Sequence, residues 1–354
     1  MARKLLTALA LALLCAVALA ADDSSDSSSS SGERTTGIDG YIPKKALSFI
    51  GIITYGGVAL VQWFLLFRNG FRAYMLPVVL GMTFMAGGFA IRVYYANNWD
   101  SLGVYIGMTM LILCSPCLFL AQDYMLLHRL ADAMGPNVAQ RALFIRSSLI
   151  TKLFVTSDIV TFLLQAGGGG MSAASSSMAK YGPKVALVGL FIQLICFLLF
   201  CTLFLVFVYR VRNNYPHLRH PASPFSIRKF GGPLSAKLTS DWRPLAVVLG
   251  LTMIGILVRS VYRIIEYAQG RDGALMTHEG YFYILDALPL LLSMALFCII
   301  WPPRVLDGVE RKGASAPPEE IGFAVPPTLD RHSPWTRVDE EAEQVGGKWQ
   351  GGRY

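Results

Sequence analysis

The sequence predicts an all-α integral membrane protein: a seven-transmembrane-helix bundle with its amino end exoplasmic and its carboxyl end cytoplasmic. Apolar residues make up 54% of the 354-residue chain and charged residues only 15%, against about 25% in soluble domains. The charges also crowd into short segments and leave long apolar runs between them. A soluble core wrapped in a polar shell cannot explain this distribution, whereas membrane-spanning helices do.

The amino end has the pattern of a secretory signal peptide over residues 1–20. Arg3 and Lys4 precede an apolar run, and Ala18-Leu19-Ala20 matches a small-x-small cleavage site. An uncleaved signal anchor is the alternative. The following segment, 21–45, is rich in Ser and Asp and is predicted to be a disordered exoplasmic tail, because it has too few apolar side chains to bury.

A spanning helix needs about 20 mostly apolar residues, because hydrocarbon cannot satisfy open backbone amides. Seven stretches between 46 and 301 meet this requirement, and they form the predicted transmembrane domain. They are 46–67, 73–95, 102–127, 147–166, 185–208, 244–268 and 281–301. Residues 302–354, rich in Pro, Gly and charge, are predicted to be a disordered cytoplasmic tail.

The distribution of Lys and Arg between the two sides gives the orientation, since basic loops remain in the cytoplasm. With the amino end outside, 19 Lys and Arg lie on the cytoplasmic side and 6 on the exoplasmic side. The signal peptide predicts the same direction. The net charge of +8 is thus explained by topology, and it gives no reason to expect a nucleic-acid partner.

Eight ionisable residues fall within the predicted spans, where each costs about 2.5–3.5 kcal/mol unless it is paired, hydrated or functional. Four are basic and four acidic, so the set can neutralise itself. Lys152 and Asp123 lie near cytoplasmic ends and are interpreted as interfacial anchors. The other six all fall in the exoplasmic half of the membrane: Arg92, Asp158, Arg259, Arg263, Glu266 and Asp286.

Helical spacing gathers several of these polar residues on common faces. Arg259, Tyr262, Arg263 and Glu266 follow an i, i+3, i+4, i+7 pattern on the sixth span, and Asp158 lies seven residues before Gln165 on the fourth. Such stripes must face the bundle interior. Gln62 and Gln193 could extend the polar lining, whereas Gln122 is expected to accompany Asp123.

These stripes predict a polar, partly hydrated cavity that opens to the exoplasmic side and binds an amphiphile. Arg259 and Arg263 would serve an anionic group, and the carboxylates a cationic one. The candidate ligand-binding residues are Asp158, Gln165, Arg259, Arg263, Glu266, Asp286 and Arg92. The alternative is an interhelical salt-bridge network with a purely structural role.

Two further motifs suggest chemistry but favour structural roles. Cys114-Ser115-Pro116-Cys117 matches C-x-x-C, but within a membrane helix it indicates packing around a proline kink rather than redox chemistry. The run Gly167–Gly170 follows the fourth span and lacks the Lys-Ser/Thr of a phosphate-binding loop, so it is interpreted as a lid or hinge.

The sequence resembles the fungal lipid-translocating exporter family from about Tyr41 to Pro303. The resemblance rests on Ser115-Pro116, on DIVTFLLQAGGGG from Asp158, and on RSVYRIIEYAQGRDGALMTHEGYFYILDALP from Arg259. It implies a seven-span protein of the plasma membrane or endomembranes, linked to aminocholesterol resistance and to efflux of sphingoid long-chain bases. The recurrent polar positions of the family are matched at Asp158, Gln165, Arg259, Arg263, Glu266, Glu279 and Asp286.

The chain departs from the family pattern at two places. Met85, Gly88 and Phe89 precede Arg92, where the family usually has an acidic residue and a Gly-Tyr pair. The seventh span ends in Trp301-Pro302 rather than His-Pro. The first departure removes a possible acidic partner of Arg92.

The remaining functional classes are narrowed by what the sequence lacks. It has no Walker-type phosphate loop, and its five histidines all fall in loops or the tail, so neither ATP hydrolysis by that route, nor an enzyme activity, nor a metal or other cofactor is expected. The predicted partner is a membrane lipid or another amphiphile within the bilayer. A seven-span receptor or lipid sensor without net transport is the alternative function.

Overall fold

The computed structural model describes residues 45–97, 101–135, 147–173, 180–214, 241–269 and 279–315. The predicted signal peptide and the tail beyond 315 lie outside these residues. Nearly all of the predicted Ser-rich tail and most of the basic loop 209–243 lie outside them as well. The helices are α1 Lys45–Arg68, α2 Leu76–Tyr95, α3 Leu102–Ala133, α4 Ser147–Ala173, α5 Gly182–Asn214 and α6 Arg243–Gln269, followed by a composite α7 and by α8 Pro302–Ser315.

Seven of these helices are long and apolar enough to cross a membrane, as predicted. Their outward faces carry large apolar side chains that are more than half exposed, as a surface in contact with lipid tails requires. Examples are Ile53, Leu60, Leu163, Ile195 and Ile254. The chain is therefore a multi-pass membrane protein.

The seventh helix is not regular. Glu279–Tyr281 is α-helical, Phe282–Ala287 forms a π-helix, and Leu288–Ile299 is α-helical again; together they are called α7. The amide of Leu288 donates to the carbonyl oxygen of Tyr283, five residues earlier, as a π-turn requires. The Tyr55 hydroxyl donates to the carbonyl oxygen of Ala287 at 2.6 Å, which ties α1 to the end of the π segment.

The glycine run is helical, contrary to the prediction of a lid or hinge. α4 continues through Gly167–Gly170 to Ala173. A Cβ on Gly168 would lie 2.5 Å from the Ala186 amide nitrogen and 2.7 Å from the Gly182 carbonyl oxygen of α5. Gly168 therefore allows the two backbones to approach closely, and this packing outweighs the low helix propensity of glycine.

The first part of the predicted disordered tail is also helical. α8 runs from Pro302, a residue suited to a helix start. Val305, Leu306 and Val309 share its inner face and are buried, while Arg304 and Glu310 are exposed. Arg72 pairs with Asp307 at 3.2 Å on the surface. The burial of one apolar face gives this segment an order that its average composition does not indicate.

Candidate functional site: a buried charged cluster

Four of the predicted residues meet at the packing interface of α6 and α7. We call Arg259, Arg263, Glu266 and Asp286 the charged cluster. Asp286, fully buried in the π segment, forms an ion pair with Arg259 through one oxygen and accepts from Arg263 through the other at 2.5 Å. Gly255 permits the close approach, because a Cβ there would lie 2.8 Å from the Pro289 carbonyl oxygen.

The second acid of the cluster extends it along α6. Arg263 Nη1 donates to Glu266 Oε2 at 3.0 Å, and the Tyr262 hydroxyl donates to Glu266 Oε1 at 3.1 Å. The sequence placed these side chains on one stripe, and the structure brings that stripe onto Asp286. Two guanidinium groups and two carboxylates give the cluster a formal charge of zero, which is what burial demands.

Arg92 of α2 lies beside the charged cluster, over an aromatic ring of α7. Its guanidinium lies 4.7 Å from the centroid of the Phe282 ring, and the guanidinium of Arg263 lies 5.5 Å from the same ring. A ring face stabilises a cation when water is excluded. Phe89 stands where the family usually has the Tyr of a Gly-Tyr pair. Its ring stacks on the Tyr283 ring, with 5.8 Å between the centroids.

Arg259 also contacts the proline-containing segment of α3. Pro116 has no N–H, so the carbonyl oxygen of Ile112, four residues earlier, lacks its usual helical donor. Arg259 Nη2 donates to this oxygen at 3.5 Å. The C-x-x-C cysteines on either side are free thiols. Pro116 thus does more than kink the helix, because it leaves the Ile112 carbonyl oxygen free to accept from Arg259.

A narrow cleft lies beside the charged cluster, between α3, α4, α5 and α6. Its apolar wall includes Leu113, Leu120, Leu190 and Ile256, and its polar groups include Gln165, Gln193, Arg259 and Arg263. Gln165 donates to the Gln193 oxygen at 2.7 Å. The room for water-sized molecules is about 20 Å³, enough for about one water. Among the residues that the structure describes, this narrow cleft is the counterpart of the predicted polar cavity.

Asp158 lies apart from the charged cluster, although the sequence grouped them. It is 2% exposed, and neither of its oxygens forms a hydrogen bond of ordinary geometry with any residue that the structure describes. Its polar neighbours are the Tyr124 hydroxyl and the Cys117 thiol of α3. Of the seven candidate residues, Asp158 is therefore the one that shares no ion pair, ring or cleft with the others.

The interfacial interpretation of Asp123 is wrong, because this side chain is fully buried between α3 and α6. The Thr252 hydroxyl lies 3.1 and 3.0 Å from its two oxygens. Lys152 is exposed, as an interfacial anchor should be. Sequence reasoning missed Thr252 and Tyr124 because a lone Thr or Tyr in an apolar helix carries no polar pattern.

The glutamines divide between two roles. Gln193 lines the cleft, as expected. Gln122 instead faces α2, where its oxygen accepts from the Val78 amide at 3.4 Å, so its predicted association with Asp123 is wrong. Gln62 donates to the Met294 carbonyl oxygen at 3.0 Å and holds α1 to α7 rather than lining the cleft.

The fold and the cluster define a seven-helix membrane protein with a neutral group of buried charges inside its bundle. Residues 78–308 match the family described as "RTA1 like protein", and the chain belongs to this family. The resemblance to fungal lipid-translocating exporters is thereby confirmed.

Three relatives from Saccharomyces cerevisiae illustrate the range of names in the family. Protein RTM1 is 30% identical over 66% of this chain and 68% of its own length. Protoporphyrin uptake protein 1 is 30% identical over 63% and 67%. The sphingoid long-chain base transporter RSB1 is 23% identical over 62% of each chain. The chain thus spans about two thirds of the relatives it matches. No solved structure matches it.

Proposed function

We propose that this protein binds an amphiphilic lipid with a cationic headgroup, such as a sphingoid long-chain base, and moves it across the membrane. The observation that carries the proposal is the charged cluster beside an apolar cleft. Glu266 and Asp286 suit an ammonium group, and Leu113, Leu120 and Leu190 suit an alkyl chain.

The closed cleft indicates how a ligand would have to enter. Arg263 occupies the place between Glu266 and Asp286, at 3.0 and 2.5 Å from their oxygens. A ligand ammonium can take this place only if Arg263 leaves it. The Arg263 side chain is 14% exposed, more than Asp286 at 0%, so it is the partner with room to move. Exchange of one cation for another keeps the buried charge at zero.

The names of the relatives point to ligands of opposite charge, so the charge of the ligand headgroup has to be decided. RSB1 is named for a sphingoid base, a cationic amphiphile, and another relative for protoporphyrin, whose carboxylates make it anionic. Both acids of the cluster pair with Arg263, which is more exposed than Arg259. If Arg263 moves away, two carboxylates are left to bind a ligand, and this favours a cationic headgroup. The predicted signal peptide, the amino-end-out orientation and the plasma-membrane location are part of this proposal.

The test is reconstitution of the purified chain in liposomes, with a labelled sphingoid base followed across the bilayer at equal pH on both sides. We expect faster movement of the base than in empty liposomes. The N-acetylated base, which has no charge, should not move faster. Binding without movement would make the protein a sensor, and accelerated movement of protoporphyrin alone would reverse the proposed headgroup charge.

Glu266→Gln is the matching protein variant, because it removes one charge and keeps the shape. We expect it to abolish movement of the base while the protein still reaches the membrane. Glu310→Gln makes the same chemical change on the exposed face of α8 and should leave movement unchanged. Full movement with Glu266→Gln would remove this residue from the mechanism.

A further inference from the structure

Two buried acids lie outside the charged cluster, near Tyr124 of α3. Asp158 of α4 is 2% exposed and Asp123 of α3 is 0% exposed. Among the residues that the structure describes, neither carboxyl is in a salt bridge. An ionised carboxylate buried without a cation is so unfavourable that the neutral acid is the stable form.

The contacts of Thr252 favour a proton on Asp123. The Thr252 hydroxyl has one hydrogen, and its oxygen lies 2.8 Å from the Leu249 carbonyl oxygen, which can only accept. The same hydroxyl oxygen is 3.0 Å from Asp123 Oδ2. An ionised Asp123 would share the single hydrogen with Leu249, whereas a protonated Asp123 can donate to Thr252 while Thr252 donates to Leu249.

Asp158 also lies at a helix interface, where α4 packs against α3, and it has no ionic partner among the described residues. Thr151, Phe154 and Asp158 share the face of α4 that meets Tyr124: the Thr151 hydroxyl donates to the Tyr124 carbonyl oxygen at 3.4 Å, and the Phe154 ring lies 5.3 Å from the Tyr124 ring. Neither Asp158 oxygen accepts an ordinary hydrogen bond. Among the described residues, a charge at this position would have no cation beside it.

The described groups that face the two acids are hydroxyls and thiols rather than bases. Around Asp158 they are Tyr124 and Cys117 of α3, with Cys196 of α5 bonded to the adjacent Ser157 at 3.0 Å. Around Asp123 they are Tyr124 on its own helix, Cys201 of α5, and Thr252 of α6. These groups can pass or share a proton, but they cannot neutralise a carboxylate.

The two acids are placed between the cleft and the other end of the bundle. Leu120, which lines the cleft, lies one helical turn from Tyr124 on α3. Asp158 is seven residues, or about 10 Å, from Gln165 of the cleft, and Thr252 is the same distance from Arg259. Water that enters the cleft thus comes within about two turns of both carboxyls.

We infer that Asp158 and Asp123 are protonated in this conformation and couple movement of the amphiphile to movement of protons. This inference rests on the proposed function. When the cleft opens to one side of the membrane, water there takes the proton of Asp158; before the carboxyl is buried again, it is protonated from the other side. The same water exchanges protons with Asp123. The pair thereby ties the open and closed conformations to the proton gradient.

The first test is infrared spectroscopy of the reconstituted protein at neutral pH, which needs no substrate. We expect carbonyl bands of two protonated carboxylic acids that shift on exchange into D₂O. Asp158→Asn and Asp123→Asn should each remove one band. Asp132→Asn, on the same helix as Asp123 but half exposed, should remove neither. Absence of such bands in the unmodified protein overturns the inference.

The second test is movement of a labelled sphingoid base with a trimethylated amine, which carries no titratable proton, with and without a pH gradient, together with a pH-sensitive dye inside the liposomes. We expect the gradient to drive the base and the base to carry a proton signal. Asp158→Asn and Asp123→Asn should retain movement at equal pH but lose the response to the gradient. If the unmodified protein moves the base without any response to the gradient, the coupling is wrong and the proposed function stands. If it moves no base at all, the proposed function fails with it.

Discussion

Arg259 of α6 donates a hydrogen bond to the carbonyl oxygen of Ile112, which Pro116 leaves without a helical donor. The same guanidinium pairs with Asp286 of α7. One side chain thus connects the proline segment of α3 with the π segment of α7, and both irregular segments border the charged cluster.

Pro116→Ala should restore the helical bond from residue 116 to the Ile112 carbonyl and release Arg259 from this contact. We expect the protein to remain folded, because a helical bond replaces the lost one, while movement of the sphingoid base falls. Pro244→Ala is the control, because Pro244 lies in the first turn of α6, where an N–H has no helical acceptor. Unchanged movement in Pro116→Ala would show that the contact has no role in transport.

Asp286→Asn should destabilise the protein by about 3–5 kcal/mol, because it leaves Arg259 buried without its acid. Thermal unfolding in detergent measures the loss. Asp307→Asn breaks the half-exposed pair with Arg72 and should cost at most about 1 kcal/mol. The double variant Arg259→Gln with Asp286→Asn restores a neutral cluster and should be more stable than Asp286→Asn alone; an equal or lower stability would contradict the ion-pair account.

Gly168→Ala should destabilise the packing of α4 on α5 by about 1–3 kcal/mol, because its Cβ would meet backbone atoms that cannot move aside. Gly167→Ala and Gly169→Ala add the same methyl group where nothing lies within 4 Å. These two should gain about 0.5–1 kcal/mol from the better helix propensity of alanine. Melting temperatures of the three variants distinguish a packed helix from a flexible hinge, for which all three would behave alike.

Tyr55→Phe removes the hydroxyl that donates to the Ala287 carbonyl oxygen at 2.6 Å. We expect a loss of about 1 kcal/mol in stability, since a neutral hydrogen bond within a membrane bundle contributes about 0.6–2 kcal/mol. Tyr209→Phe is the control, because Tyr209 is 69% exposed. Faster hydrogen exchange in the π segment of Tyr55→Phe, and not of Tyr209→Phe, would show that Tyr55 holds this segment.

The seven spans and the polar stripe of α6 could be predicted from the sequence because both are local properties. Hydropathy over about 20 residues identifies a span, and helical periodicity places Arg259, Arg263 and Glu266 on one face. The partner of that face could not be predicted in the same way. Asp286 and Asp158 look alike in the sequence, as acids within apolar helices, yet Asp286 lies between two arginines and Asp158 lies next to a tyrosine.

The sequence by itself determined the membrane class, the number of membrane spans and the residues whose charges must be compensated, because the bilayer requires about 20 apolar residues per span whatever their neighbours. Only the tertiary structure decided how the charges are compensated. It made the glycine run helical and gave Asp286 both arginines, and within the described part of the chain it placed no cation on Asp123 or Asp158. The physical reason is that pairing and close packing depend on which helices are adjacent, and adjacency is a property of the whole bundle.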